Sequence, residues 1–172
     1  MDIRKAGASD INDIEKIYND IHCSEEKGSL TIGWTRGVYP TRKTAEDAVA
    51  RDDMFVLEEN GVVIGAAIIN QIQVDVYENA PWEYESDSVC VLHTLVISPS
   101  TSGKGYGTEF VRFYEEWARE HGIYELRLDT NAKNTAARKM YWKLGYKEIT
   151  IVPTVFNGIP DVNLVLLEKN LI

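Results

Sequence analysis

Hydrophobic and polar residues recur with two different periods along the 172-residue chain, and these periods predict where helices and strands lie. Near the amino end, a short strand is predicted at residues 3–6. Apolar residues then recur three or four positions apart, which predicts a helix with one buried face: Ile11, Ile14, Ile17, Tyr18 and Ile21. Ser9 is a residue type favoured as the cap of such a helix. A second helix is predicted from Thr44, where Asp47 is placed to complete a capping box.

The middle of the chain predicts three strands in succession. Residues 54–57 and 62–73 are apolar and flank Asn60-Gly61, a pair typical of a tight hairpin because both central positions of a type I′ turn require positive φ. Residues 89–97 form the third strand. A segment rich in acidic and aromatic residues, residues 77–87, separates this strand from the hairpin.

The last third of the chain predicts alternating helices and strands. The expected elements are an amphipathic helix from about Gly105 to Gly122, a strand near 126–129, a helix from Asn134 or Thr135, and two strands at 149–152 and 162–167 around a loop with Pro153, Gly158 and Pro160. The whole order predicts an α/β (α+β) fold, a mixed sheet with helices on its faces, built as one domain over residues 1–172.

The formal net charge of −9 bears on the partners of the protein. We expect no nucleic-acid partner, because phosphate contacts need clustered Lys and Arg. An acidic field attracts cations and fits a cationic substrate, although solubility alone is the simpler explanation of the charge.

Cysteine, histidine and hydrophobic patterns predict a cytoplasmic protein without a metal centre. Cys90 lies in an apolar strand far from Cys23, and cysteine in such a strand is usually a small buried hydrophobe. His22, His93 and His121 lack the spacing of metal ligands. The amino terminus lacks the apolar stretch of a signal peptide, and no apolar run is long enough for a bilayer, so we expect no membrane partner.

The segment that suggests chemistry begins where the strand at 89–97 ends. Residues 102–108 read Ser-Gly-Lys-Gly-Tyr-Gly-Thr and lead directly into the amphipathic helix. Glycines at alternate positions leave the backbone uncrowded, so successive N–H groups can point at one anion at the positive end of the helix dipole. This pattern favours phosphate binding, although glycine-rich turns also serve as plain connections. The spacing matches neither a P-loop nor the dinucleotide fingerprint GxGxxG.

Two motifs, in order, resemble those of one enzyme family. The strand, its turn at Pro99 and residues 102–107 resemble motif A of the GNAT superfamily, and residues 134–146 resemble its motif B, N-x-x-A-x-x-x-Y-x-K-x-G-[FY]. The resemblance implies a mostly antiparallel sheet of about seven strands with helices on both faces. It also implies an N-acetyltransferase that moves the acetyl group of acetyl-CoA to a primary amine by direct attack in a ternary complex. The alternative is a non-catalytic acyl-CoA-binding module that senses the cofactor or docks a partner.

The resemblance assigns coenzyme A to three stretches of the chain. The backbone of Leu95, Val96 and Ile97 is expected to pair with the pantetheine amides and to bind the thioester oxygen. Phosphate contacts are implied for Ser102, Gly103, Lys104, Gly105, Tyr106, Gly107 and Thr108, and further contacts for Asn134, Ala137 and Tyr141. Ser102 stands where the family usually has Arg or Gln, so the charge-assisted contact to pyrophosphate is missing unless Lys104 supplies it.

Tyr141 is the candidate proton donor to the departing thiolate of coenzyme A. On its own, its place on an apolar helix face beside Leu144 would suggest a core tyrosine, and the motif favours function. Asn134 is a helix cap, a cofactor ligand, or both.

His93 is the candidate base. An alkylammonium with a pKa of ~10 must lose a proton before attack, and a neutral imidazole accepts one directly or through water. The position resembles that of a base histidine in arylalkylamine acetyltransferases. Strict strand alternation places His93 on the same sheet face as Leu95 and Ile97. A structural histidine and a water chain are the alternatives.

Four aromatic residues are candidates for the acceptor site. Trp34 and Tyr39 lie in the connection between the first two helices, and Trp82 and Tyr84 lie in the acidic segment 77–87. Aromatic faces and carboxylates attract cations, although plain packing and a solvated loop also explain these residues. The expected partner is a small-molecule or peptide amine, with a homodimer as an option.

Overall fold

The computed structural model describes all 172 residues, which form seven strands and four helices. In chain order these are β1 (Asp2–Lys5), α1 (Ile11–Glu26), α2 (Arg42–Ala50), β2 (Met54–Glu59), β3 (Val62–Asn70), β4 (Val89–Ile97), α3 (Tyr106–Glu120), β5 (Glu125–Asn131), α4 (Thr135–Lys143), β6 (Lys147–Phe156) and β7 (Ile159–Asn170). The predicted α/β class is confirmed.

All seven strands belong to one sheet, in the order β1-β2-β3-β4-β5-β7-β6. Only β4 and β5 pair in parallel, and the other neighbours are antiparallel. Parallel neighbours need a crossover connection, and α3 supplies it. The expected mostly antiparallel sheet of about seven strands is confirmed.

Helices cover both faces of the sheet, and each face has its own core. On the α1/α2 face, Ile14 and Ala45 pack with Ile68 of the sheet. On the α3/α4 face, Phe110 and Tyr141 belong to a larger cluster of 18 buried residues. Since burying one large apolar side chain contributes about 1.5–3 kcal/mol, both cores hold the helices firmly against the sheet. No helix combines the length and the apolarity that crossing a bilayer requires.

Several predicted boundaries are wrong. Helix α1 starts at Ile11 after a short turn over residues 8–10, so Ser9 is not its cap, and β3 ends at Asn70 rather than at residue 73. The second helix starts at Arg42 rather than Thr44. Thr41 is its N-cap, and Thr44, the third residue of the helix, closes the capping box because its hydroxyl accepts from the N–H of Thr41.

The final hairpin has no long loop, since Pro153 lies within β6 and the turn is confined to Asn157 and Gly158. A proline fits there because β6 is an edge strand and needs no donor on its outer side.

A bulge in β4 changes which residues share a face. Ala66 of β3 pairs with Val96, but Ile68 pairs with His93, so β4 holds one extra residue in this interval. Thr94 takes it up with a positive φ of 49°. An extra residue inverts the alternation beyond it. Leu95 and Ile97 therefore face the α3/α4 core together with Leu92.

The bulge corrects the predicted face of His93. The His93 ring contacts the side chain of Asn70, which follows Ile68 by two residues on β3. Ile68 is buried in the core of the α1/α2 face. His93 therefore lies on the α1/α2 face, opposite Leu95 and Ile97, because strict alternation does not hold across a bulge.

Candidate active site

A gap opens between β4 and β5 in the middle of the sheet. The parallel pairing covers only Val89 to Leu92 on β4 and ends at the pair Leu92 and Leu128. Beyond that point β4 continues along β3, and β5 continues along β7. Two strand edges thus face each other without pairing, and each offers free backbone N–H and C=O groups to a ligand.

The gap is part of a cavity of about 380 Å³ that reaches from the α1/α2 face through the sheet to α4. Many predicted site residues border it: Trp34, Tyr39, His93, Leu95, Val96, Ile97, Ser102, Gly107, Asn134, Ala137 and Tyr141. The structure therefore brings together the predicted base, the predicted acid and parts of all three predicted cofactor stretches around one space. The other predicted phosphate-binding residues do not border it: Gly103, Lys104, Gly105, Tyr106 and Thr108.

The glycine-rich loop presents a row of free donors. None of the six backbone N–H groups from Gly103 to Thr108 donates a hydrogen bond to another group of the protein. Gly103 and Gly105 have positive φ angles of 78° and 84°, and a Cβ at either position would meet nothing within 4 Å. The donors lie at the start of the 15-residue helix α3, where the dipole favours an anion.

Three residues of this loop, Lys104, Tyr106 and Gly107, differ in their contacts with the rest of the protein. Lys104 is exposed and forms no ion pair, so its charge is available to a bound anion. The hydroxyl of Tyr106 donates a hydrogen bond to Glu59 at 2.5 Å, so only the backbone N–H of Tyr106 is free to bind a ligand. A Cβ on Gly107 would lie 3.2 Å from the sulfur of Met140, so glycine lets α3 and α4 approach closely here.

Asn134 caps α4. Its Oδ1 accepts a hydrogen bond from the N–H of Ala137 at 3.2 Å, so the predicted cap is confirmed. A role for Asn134 and Ala137 in cofactor binding stays a prediction, supported by their position on the cavity wall.

Tyr141 is a buried tyrosine whose hydroxyl opens to the cavity. Only 5% of the residue is exposed. Its hydroxyl has no hydrogen-bond partner. Unlike the hydroxyl of Tyr18, which is fully buried, it remains accessible from the cavity. Burial raises the pKa of the phenol well above its usual value, and the charge of Asp129 raises it further. The phenol thus stays protonated and is free to donate.

His93 borders the cavity on the α1/α2 face. Its Nε2 atom contacts Asn70, and burial lowers the pKa of the imidazole to about 4. The ring is therefore neutral at physiological pH. The role of His93 as base stays a prediction. With its pKa lowered, the imidazole binds a proton only weakly.

One cavity residue, Asp129, escaped the sequence predictions. It is the first residue of β5 beyond the segment that pairs with β4. Its Oδ2 accepts a hydrogen bond from the hydroxyl of Tyr77 at 2.7 Å. Burial raises the pKa of Asp129 to about 6, although the bond from Tyr77 lowers it. The only signal in the sequence is an acidic residue in an alternating strand, which normally indicates a solvent-facing side chain.

The four predicted acceptor residues divide into two pairs. Trp34 and Tyr39 border the cavity and pack edge to face, with ring centroids 6.0 Å apart. Trp82 and Tyr84 do not border it. The guanidinium of Arg127 lies 4.2 Å from the Trp82 ring and donates to the carbonyl of Tyr84, so both residues fasten segment 77–87 to the sheet.

Comparison with known proteins agrees with this geometry. Residues 14–146 match the family described as the Acetyltransferase (GNAT) family. Streptothricin acetyltransferase of Escherichia coli is 29% identical over 127 residues, which cover 74% of this chain and 66% of that protein. The chain spans about two thirds or less of the curated relatives that it matches first.

Two solved structures share the fold. One is a GNAT-family acetyltransferase from Streptococcus agalactiae 2603, with a TM-score of 0.76, 21% identity, and 98% of this chain and 94% of that chain covered. The other is yncA from Salmonella typhimurium, solved with its cofactor acetyl-CoA, with a TM-score of 0.72, 22% identity, and 100% of this chain and 94% of that chain covered. The chain belongs to the GNAT family of acetyltransferases.

Proposed function

We propose that the protein transfers the acetyl group of acetyl-CoA to a primary amine by direct attack in a ternary complex. The observation that carries this proposal is the cavity between β4 and β5, which reaches the donor-rich loop at Ser102 and Gly107 and extends to the free hydroxyl of Tyr141. The acceptor is a small amine, an amino acid or a peptide amine. We take residues 1–172 as one acetyltransferase domain.

The residues present fit acetyl-CoA, which supplies an acetyl group activated as a thioester. The N–H groups of Gly103 to Thr108 would hold the pyrophosphate, with the hydroxyl of Ser102 and the charge of Lys104. The unpaired edge from Leu95 to Ile97 would bind the pantetheine amides as an added strand does. A backbone N–H of the same edge would stabilise the oxyanion.

Tyr141 supplies the proton that the departing sulfur needs. It lies on α4, on the opposite side of the sheet from His93 and Trp34. An amine that enters from the α1/α2 face and a thiolate that leaves toward α4 therefore meet different side chains. A general acid of this kind typically contributes ~10²–10⁴ in rate.

The acceptor side of the cavity suits a positively charged amine. Trp34 and Tyr39 offer aromatic faces, and the net charge of −9 favours the approach of cations. Streptothricin acetyltransferase, a relative by sequence, is named for acetyl transfer to streptothricin. A contribution of Trp82 and Tyr84 would require segment 77–87 to move. Cytoplasmic location and a homodimer stay predictions.

The first experiment is thermal unfolding with and without acetyl-CoA. A ligand that binds only the folded protein at about a hundredfold above its Kd stabilises it by roughly 2.7 kcal/mol, so the Tm should rise clearly. AMP is the control, since it lacks the pantetheine arm that the gap would bind. An unchanged Tm in millimolar acetyl-CoA would overturn the proposal.

The second experiment is release of free coenzyme A with a panel of primary amines. Acetylation of at least one amine supports the enzyme. A clear rise in Tm with no turnover across the panel would instead support the non-catalytic acyl-CoA-binding module.

A further inference from the structure

A second cavity lies on the α1/α2 face of the sheet, beside the first cavity between β4 and β5. It has a volume of about 420 Å³ and runs along α2, from Thr44 in the first turn of the helix to Arg51 directly after its end. Tyr39 and His93 border both cavities. One molecule that lies along these two rings would therefore contact both spaces.

Hydrogen bonds hold the two shared rings in place. The hydroxyl of Tyr39 shares a hydrogen bond with that of Thr94, and the Nε2 atom of His93 contacts the amide oxygen of Asn70. The amide nitrogen of Asn70 donates in turn to Asp53 at 2.8 Å. The boundary between the two cavities is thus a fixed part of the structure, against which an elongated molecule can be positioned.

Arg51 has a free edge of its guanidinium in the second cavity. Its Nε donates to Oδ2 of Asp53 at 2.9 Å, and its Nη2 donates to Oδ1 at 3.2 Å. The other edge, formed by Nη1 and the second hydrogen of Nη2, has no partner in the protein. The side chain of Asp53 is only 10% exposed and does not border the cavity, whereas that of Arg51 is 44% exposed. A buried carboxylate therefore fixes the guanidinium and leaves its outer edge open.

The other charged groups of this cavity are already paired. Lys43 donates to both carboxylate oxygens of Asp47, at 2.8 and 2.9 Å. Burial lowers the pKa of His93 to about 4, and the charge of Arg51 contributes in the same direction, so the ring is neutral and lies within reach of this charge. Arg51 is therefore the cation whose donors remain open, and it lies near the boundary with the first cavity.

The free edge of Arg51 matches a carboxylate in shape and charge. Two parallel N–H···O bonds from Nη1 and Nη2 fit the two carboxylate oxygens, and the opposite charges strengthen both bonds. Asp53 already offsets the positive charge of Arg51. This balance suits a carboxylate with a single negative charge better than a phosphate with nearly two.

Resting on the proposed function, we propose that the second cavity is a subsite for the acceptor, in which Arg51 binds a carboxylate that the acceptor carries several bonds away from its amine. The substrate class is thus an aminocarboxylic acid, whose amine reaches the thioester in the first cavity while its chain extends along Tyr39 and His93. Arg51 is a specificity-determining residue, and Asp53 is the positioning residue that orients it.

The test compares aminocarboxylic acids with their primary amides, which have the same length and no negative charge. The series is glycine, β-alanine, γ-aminobutyrate, δ-aminovalerate and ε-aminocaproate, each beside its amide, with kcat/KM measured from release of free coenzyme A. We expect the acid to be preferred by roughly tenfold or more at one length at least, because a charge-assisted hydrogen bond contributes about this factor. Equal kcat/KM for acid and amide at every length, or turnover confined to other amines, would overturn the proposal.

Substitutions at Arg51 assign this preference to a residue. Arg51→Gln should raise KM for the best acid roughly tenfold and leave kcat/KM for its amide within about threefold of wild type. Arg51→Lys keeps the charge and loses the fork, so it should retain only part of the preference. Arg42→Gln is the matched control, since Arg42 lies on the same helix, pairs with Glu15 and Glu46, and borders neither cavity. It should leave the preference unchanged.

The ratio of kcat/KM for acid and amide separates recognition from structural damage. A displaced His93 or a loss of folded protein would lower both values alike, so an unchanged ratio in Arg51→Gln and Arg51→Lys would contradict the proposal. Failure of the proposed function has a different signature. Acetyl-CoA would then leave the Tm of the wild type unchanged, and no amine, with or without a carboxylate, would be turned over.

Discussion

The Nε2 atom of His93 lies 2.9 Å from the Oδ1 atom of Asn70. The amide of Asn70 is oriented by two further bonds, since its Nδ2 donates to Asp53 at 2.8 Å and its Oδ1 accepts from the N–H of Ile72 at 2.9 Å. An amide oxygen only accepts, so Nε2 carries the proton of the neutral ring and Nδ1 is the bare nitrogen.

His93→Gln should lower kcat/KM by less than about tenfold, by a factor that is constant between pH 6 and 9. The reason is that His93, with its pKa lowered to about 4, is already neutral throughout this range. The measurement is the ratio of wild-type to variant kcat/KM against pH, on protein with an unchanged Tm. A deficit that is largest at pH 7 and fades toward pH 10 would instead show that His93 acts as the base.

Tyr141→Phe should lower kcat by ~10²–10⁴ and leave the Kd of acetyl-CoA within about twofold, because the phenol acts on the departing sulfur. Stopped-flow turnover and calorimetric binding measure the two quantities. Tyr18→Phe is the control. It removes a fully buried hydroxyl that makes no hydrogen bond, so kcat should be unchanged. If Tyr141→Phe retains kcat within threefold, Tyr141 is a packing residue or another donor serves the thiolate.

Ser102→Arg should tighten acetyl-CoA binding by roughly three- to tenfold at low salt, because a guanidinium adds a charge-assisted hydrogen bond to phosphate. The gain should shrink as salt is raised, since the loop is exposed and charges there are screened. Ser100→Arg adds the same charge two residues earlier, outside the cavity. Equal gains in both variants would mean a general effect of charge and no specific contact at Ser102.

Glu125→Gln should gain stability relative to wild type as the pH rises from about 5 to 8. Burial and the neighbouring Glu168 raise the pKa of Glu125 above its ordinary value of 4.5. Above that value the unfolded chain releases a proton that the folded protein keeps, so wild-type stability falls as the pH increases. Glutamine does not titrate and removes this slope. Thermal unfolding of both proteins across this pH range measures it, and parallel curves would contradict the raised pKa.

Sequence patterns predicted which residues form the site better than they predicted the sheet face on which each residue lies. The glycine-rich loop before α3, the cap at Asn134 and the position of Tyr141 follow from spacing that local structure obeys. The face of His93 does not, because the bulge at Thr94 depends on pairing with β3, which no local pattern records.

Asp129 illustrates the same limit. Its alternation with Leu128 predicts an outward polar side chain, which would hold on a strand with a solvated face. Here Tyr77, 52 positions away, covers that face and makes Asp129 a partly buried, hydrogen-bonded carboxylate. Long-range cover of this kind depends on tertiary packing and changes the chemistry of a residue without changing its neighbours in the sequence.

The gap also has a mechanical consequence. Strands β1 to β4 and strands β5 to β7 are two half-sheets joined along a seam of four residue pairs, compared with seven pairs between β5 and β7. Central strands usually show the slowest amide hydrogen exchange. Here residues 93–97 should exchange faster than the outer pairing of β5 with β7, and a ligand that bridges both edges should slow them. The weakest strand pairing in this sheet thus lies at its centre, and a bound cofactor would bridge the two half-sheets there.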